Sequence, residues 1–352
     1  MSTIVYSNVT DPRQGGGLPY VLAIATALAE LPEPPENEVR VRFPAPLQTE
    51  LAKRLFPIPL EGLRLEHDPR RSTLARELSD IVTGFGVRRV IVQATEVPRL
   101  RGLRNAHLVC EFPFQRRLGP GSRLRLSGFR SVVANSAYTA RWIERRWGRT
   151  ARVLHPPVFP IPSRQKRPWI VALGRFAGGG RSKRQLEMVE VFRGLIERGL
   201  AGWELHLVGT GQDPESVRRV VEAARDLPVL IHLDAPRREL EDICGAASVF
   251  WHFTGALEDP EATPERMEHF GIATVEAMSA GAVPVVVARG GQPEIVEEGS
   301  GLLWESFEQC AEQTWDVCHD EALRARLCEA ARRRAEDFAY PLFAARAREL
   351  FA

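Results

Sequence analysis

The stretch 265–298, ERMEHFGIATVEAMSAGAVPVVVARGGQPEIVEE, decides the reading of the whole chain. Residues 273–280 are good helix formers that stop at Gly281, a C-cap signal, so a helix is predicted there. Residues 283–288 are apolar and largely β-branched, which suits a strand buried on both faces. Gly290-Gly291-Gln292-Pro293 reads as a turn that opens a short helix at 294–296. Loop, helix, strand, Gly-rich turn and helix make one unit of a parallel sheet.

Phe270-Gly271-Ile272 would then present free backbone N–H groups at the positive end of a helix dipole, a natural seat for phosphate. Glu268 stands just before that seat and Glu276 about a turn inside the helix. Their spacing covers roughly 12 Å of helix, the span of a nucleoside diphosphate with a sugar at one end and ribose at the other. A carboxylate accepts hydrogen bonds from vicinal hydroxyls, so each Glu can hold one polyol end. Two Glu by themselves would read as solvated charges on an amphipathic helix; the remainder of the string carries the functional reading.

Glu268-His269-Phe270-Gly271-Ile272, Thr274-Val275-Glu276-Ala277-Met278, Gly281, Pro284-Val285-Val286, Gly290-Gly291 and Glu294-Ile295-Val296 closely resemble the E-x7-E signature of the family 4 retaining glycosyltransferases. The resemblance implies an α/β protein of GT-B fold, two Rossmann-like doubly wound domains facing across a cleft. It also implies transfer of a sugar from a nucleoside diphosphate sugar to an acceptor hydroxyl with retention of anomeric configuration. Gly174-Arg175-Phe176 and Lys183 match the family's Gly-Arg and Lys positions. Two cations there would stabilise the leaving diphosphate, so the resemblance implies a metal-independent enzyme with no cofactor beyond the donor itself. Gly16 and Gly17 match the loop that approaches the donor phosphates, and Gly209, Phe270, Gly271 and Ile272 complete the donor-binding set. Glu276 would hold ribose; Glu268 would position the sugar and steady positive charge at its anomeric carbon. One departure stands out. Many relatives place a His after the fourth or so strand, and the corresponding segment here, Val109-Cys110-Glu111-Phe112-Pro113, puts Glu111 in its place.

Composition sets the outer limits. The 352 residues suffice for two domains, and 44% hydrophobic with 26% charged residues is ordinary for a globular protein. A net charge of +2 makes no case for nucleic acid. The start shows no basic-then-apolar signal pattern and no apolar run reaches membrane length. Five cysteines without C-x-x-C spacing read as reduced thiols, so the expected location is cytoplasmic.

Strands predicted at 3–6, 39–43, 90–93, 107–110 and 131–134 alternate with helices at 18–31, 72–83 and 137–147, which argues a first parallel sheet. Ser72 and Asn135-Ser136 are N-cap candidates, and Trp142 and Trp147 are read as packing residues. Residues 153–168 carry Pro156, Pro157, Pro160, Pro162 and Pro168, an extended interdomain linker. A second series follows: strands at 169–174, 204–208, 229–233 and 249–252, helices at 185–198 and 240–247, then helices from Trp304 onward with a break near Tyr340-Pro341. The domains expected are 1–160 on the acceptor side, 161–335 binding the nucleotide sugar, and a terminal helix, 336–352, returning to the first. His252 ends a strand where ligands approach such sheets, although a structural role is the commoner one. The long acidic loop 254–267 suggests a lid.

Between Arg99 and Arg130 stand Arg99, Arg101, Arg104, Arg116, Arg117, Arg123, Arg125 and Arg130 against the single acid Glu111. Such a run is either a solvated face or a contact for an anionic acceptor or an acidic membrane surface, the inner face in a cytoplasmic protein. The acceptor itself, whether carbohydrate, lipid-linked or small molecule, is not encoded in any motif. Three rival activities fit the same frame: a GT-B phosphorylase, a nucleotide-sugar epimerase, and a noncatalytic nucleotide-sugar-binding scaffold. The last has no need of Arg175, Lys183, Glu268 and Glu276 together.

Overall fold

Strand-and-helix alternation produces two parallel sheets in the computed structural model, which describes residues 2–9, 16–31, 38–44, 58, 60–67, 87–98, 105–179 and 182–352. The chain divides into two units, Met1–Pro157 with Tyr340–Ala352, and Val158–Ala339. The change-over at Pro157 falls three residues before the sequence-based boundary, and the return at Tyr340 four residues after it.

Unit 1 contains β1 (Ser2–Tyr6), α1 (Gly17–Ala29), β2 (Val39–Phe43), β3 (Leu63–His67), β4 (Val87–Gln93), β5 (Ala106–Cys110), α2 (Pro120–Ser127), β6 (Ser131–Ala134), α3 (Ala137–Trp147) and β7 (Arg152–Val153). The sheet order is β3-β2-β1-β4-β5-β6-β7 and every recorded pairing is parallel. The order reverses beside β1, so β1 and β4 flank the point where doubly wound sheets take ligands. Helix α1 ends at Ala29 rather than Leu31 and is buried along most of its length. At α3 the Ser136 hydroxyl accepts from Thr139 N, and Gly148 closes the helix with φ +64°. Trp142 and Trp147 are buried. In helix α2 Pro120 occupies the first turn, where the missing N–H costs nothing. The helix expected at 72–83 and Arg99, Arg101 and Arg104 lie outside the described residues.

Unit 2 runs β8 (Arg167–Leu173), α4 (Gln185–Arg198), β9 (Glu204–Gly209), α5 (Pro214–Ala223), β10 (Val229–Leu233), α6 (Arg237–Ala246), β11 (Ala247–His252), α7 (Ile272–Ser279), β12 (Val283–Val287), α8 (Gln292–Ile295), β13 (Leu302–Trp304), α9 (Phe307–His319) and α10 (Glu321–Glu336). Its order, β10-β9-β8-β11-β12-β13, reverses between β8 and β11. Side chains alternate between two cores: Ile170, Val249, Val283 and Val285 face one, Val171, Phe250 and Val286 the other. Burial on both faces is why β12 reads as a continuous apolar run. The long helical tail has a break that sequence reading missed, at Asp320, whose carboxylate accepts from Leu323 N at 2.8 Å and so caps α10. The last helix, α11 (Tyr340–Phe351), belongs to unit 1 and packs on α1, with Arg348 Nε donating to Ala27 O at 3.0 Å. Among the described residues no helix is long and apolar enough to cross a membrane.

Candidate active site

The loop after β8 is fitted to the end of β9 so closely that only glycine serves there. A Cβ on Gly209 would lie 1.9 Å from Gly174 O. Gly209 therefore sets backbone geometry. On the other side of Gly174 runs the stem of Lys183, whose Cγ would be 2.8 Å from a Cβ at position 174. The Gln185 amide ties the loop down, donating to Gly174 O at 3.1 Å and Arg175 O at 3.0 Å. Arg175 is half-buried and makes no ion pair among the described residues.

Glu268 is held by its backbone as well as its side chain. Gly290, at φ +64°, approaches so near that a Cβ would stand 2.2 Å from Glu268 O, and Gly291 N donates to that carbonyl at 2.8 Å. The Gly-Gly turn thus fixes the loop that carries the carboxylate. Glu268 Oε2 accepts from Lys183 Nζ at 2.6 Å and from His252 Nε2 at 3.1 Å. Burial pushes the Glu268 carboxyl up, but the Lys183 charge and the His252 hydrogen bond outweigh it and hold the group well below the usual carboxylate range. His252 ends β11, is 4% exposed, and is pushed below the ordinary histidine value chiefly by burial, despite Glu268. Burial likewise takes His269 down to about 4. At neutral pH Glu268 is thus a carboxylate and the two rings are neutral.

Glu276, inside α7, meets Arg237 Nη1 at 2.8 Å, and Arg237 Nε also reaches Glu241 at 2.7 Å. Burial raises the Glu276 carboxyl and Arg237 offsets only part of the rise. Arg237 escaped sequence reading because it stands 39 residues from its partner. Gln292 escaped too, being read only as a turn residue. It is fully buried, its Oε1 accepts from Thr274 Oγ1 at 3.0 Å, and its Nε2 has no hydrogen-bond partner. That Nε2 stands 2.7 Å from where a Cβ of Gly271 would be, and Gly271 has φ +121°. A buried N–H donor therefore joins the first amides of α7, which have no acceptors within the helix. The Phe270 side chain packs into the core against Phe338.

The structure brings Lys183, Glu268 and His252 into direct contact, with Arg175 in the same loop as Lys183. The loop 254–267 is tethered: Glu258 pairs with Arg184 at 2.6 Å and Arg266 at 3.1 Å, and Arg289 donates to Gly255 O at 2.9 Å. In unit 1, Gly17 abuts Glu111, whose Oε1 and Oε2 would be 2.7 and 2.9 Å from a Cβ at 17. Gln93 Nε2 donates both to Glu111 and to Gly17 O, and Ser7 Oγ donates to Gln93 Oε1 at 2.7 Å. Burial raises the Glu111 carboxyl, with Gln93 opposing. Gly17 therefore has the buried Glu111 carboxyl as its neighbour. Among the described residues no group of three His, Cys, Asp or Glu is placed to hold a metal ion.

The model of glycosyl transferases group 1 matches residues 158–334, half of the chain. The chain belongs to that family. HepE of Anabaena, solved with UDP and glucose, superposes on this transferase with a TM-score of 0.70 at 15% identity, covering 99% of each chain. Sucrose-phosphate synthase of Thermosynechococcus elongatus gives 0.67 at 17% identity over 99% of this chain and 98% of its own. WaaG, a glycosyltransferase involved in lipopolysaccharide biosynthesis, gives 0.67 at 13% identity over 99% of both. No curated protein sequence matches. The fold of this glycosyl transferase is thus GT-B.

Proposed function

We propose that the protein is a family 4 transferase that moves a sugar, with retention, from a nucleoside diphosphate sugar to an acceptor hydroxyl, without a metal ion. The observation that carries this is the cluster at the β8/β11 switch point, where Lys183 meets Glu268 and Arg175 stands in the same loop as Lys183. Positive charge at a departing diphosphate stabilises the leaving group, the role a metal would otherwise fill. Glu268, ionised by its neighbours, suits a group that steadies developing positive charge at the anomeric carbon. The α7 amides and Gln292 Nε2 suit the phosphates, and Glu276 the ribose.

The acceptor side is read from unit 1. Residues 112–143 contain Arg116, Arg117, Arg123, Arg125, Arg130 and Arg141 and no acid. Phe114 and Leu124 are exposed among them. We infer a weak peripheral contact with an anionic surface. A thermal-shift panel of UDP-, GDP- and ADP-sugars tests donor binding, since a ligand of the native state raises apparent stability. The anomeric configuration of the product, read by NMR, tests retention. Inversion, or release of a new nucleotide sugar without any acceptor, overturns the reading in favour of another activity.

A further inference from the structure

Both hydrogen bonds to the Glu268 carboxylate fall on one oxygen. Oε2 accepts from Lys183 Nζ and His252 Nε2, while Oε1 has no hydrogen-bond partner among the described residues. The proposed function gives Lys183 a second claimant, the donor diphosphate, so the carboxylate needs an anchor that does not move with that cation. We propose that His252 is a positioning residue for glycosyl transfer: its neutral ring donates from Nε2 to Glu268 Oε2, keeping Oε1 presented while Lys183 serves the diphosphate. This rests on the reading of the chain as a nucleotide-sugar transferase.

Three observations support the assignment. The backbone of His252 pairs with Val286 in the β11–β12 register, so the ring is mounted on a central strand and not on a loop. Its side chain is 5% exposed, and Nδ1 is buried with no hydrogen-bond partner. The tautomer follows. A proton on Nδ1 would bury an unsatisfied donor and set the Nε2 lone pair against Glu268 Oε2; a proton on Nε2 satisfies both groups. A doubly protonated ring would again bury a second N–H without an acceptor. Glu268 favours that charge, whereas burial and Lys183 oppose it; the nearby Thr254 hydroxyl, 3.4 Å from Nε2, adds none.

The test compares wild type with His252→Leu, which removes the donor, and His252→Gln, which keeps an N–H at comparable reach. The substrate is whichever of UDP-, GDP- and ADP-glucose the wild type turns over. His252→Leu should lower kcat about ten- to a hundredfold, the cost of a misplaced group, while the Kd of the matching nucleoside diphosphate stays within about twofold. His252→Gln should recover most of kcat. Nitrogen-15 spectra of the wild-type ring should show the neutral Nε2–H form at pH 7, with protonation only below the ordinary histidine range. Undiminished kcat in the Leu variant, equal losses in Leu and Gln variants, or an Nδ1–H ring overturns this inference alone. A wild type that binds and turns over none of the three sugars overturns the proposed function and this inference with it.

Discussion

Lys183 Nζ and Glu268 Oε2 stand 2.6 Å apart although 85 residues separate them in sequence, and their side chains keep 22% and 21% of their exposure. The pair joins the loop after β8 to the loop before α7. A pair so covered is worth less than its breakage costs, because removing one partner leaves the other charge poorly solvated. Lys183→Met should therefore destabilise the chain by about 2 kcal/mol, and Glu268→Gln in the same background should restore part of the loss. Urea unfolding midpoints of the two single variants and the double variant check this. A double variant as unstable as the sum of the two singles would mean that the charges are not coupled.

Turnover probes the same cations differently. Arg175→Ala and Lys183→Ala should each lower kcat about a hundredfold, the usual effect of removing one charge-stabilising donor. Near-wild-type turnover in both would remove them from the leaving group.

Glu276 carries a sign that can be worked out. Its folded carboxyl is raised by burial, so the folded state holds its proton more tightly than the unfolded chain. That contribution to stability is full below the unfolded carboxylate range and is lost as pH rises through the folded value, leaving a penalty at pH 7. Glu276→Gln, with Arg237 still paired to Glu241, should raise Tm by about 2 °C at neutral pH. The gain should shrink as pH falls into the carboxylate range. Calorimetry should show nucleotide affinity lost in Glu276→Ala and kept in Glu268→Gln, which should instead slow the chemical step. The opposite pattern would reverse the placement of the donor.

Local signals carried the site further than they carried its partners. Glu268, the helix at 272–279, the buried β12 and the Gly290-Gly291 turn were legible because each depends on neighbours within a few residues. The Pro-rich stretch beginning at 153 likewise marked the change of units. Asp213-Pro214, an N-cap followed by proline in the first turn of α5, was an equally local signal that went unread, as was Asp320 before α10. The Arg237–Glu276 pair and the Glu111–Gln93–Gly17 contact were not legible: strand order makes them, and no periodicity in the sequence encodes which strand ends meet. Glu258 shows the same limit, since a loop rich in acids looks free until Arg184, Arg266 and Arg289 are found holding it.

The exposed stretch from Phe114 into α2 yields the last prediction. Arg116, Arg117 and Arg123 are exposed, as are Phe114 at 47% and Leu124 at 59%, whereas Arg125 is turned inward to Pro98 O at 3.1 Å and Ser122 Oγ at 2.9 Å. Cations mixed with exposed apolar side chains are a combination that suits an anionic bilayer. Each basic residue at such a surface contributes about 1 kcal/mol, so three give weak and salt-sensitive binding. In sedimentation with anionic and neutral liposomes, wild type should pellet with the anionic ones at low salt and release at high salt. A threefold Arg→Ser variant at 116, 117 and 123 should lose that binding, and Leu124→Ser should weaken whatever survives salt. Equal recovery of wild type and the threefold variant would remove the membrane reading. If the variant also keeps the acceptor KM, these arginines are a solvated face and the acceptor is held elsewhere in unit 1.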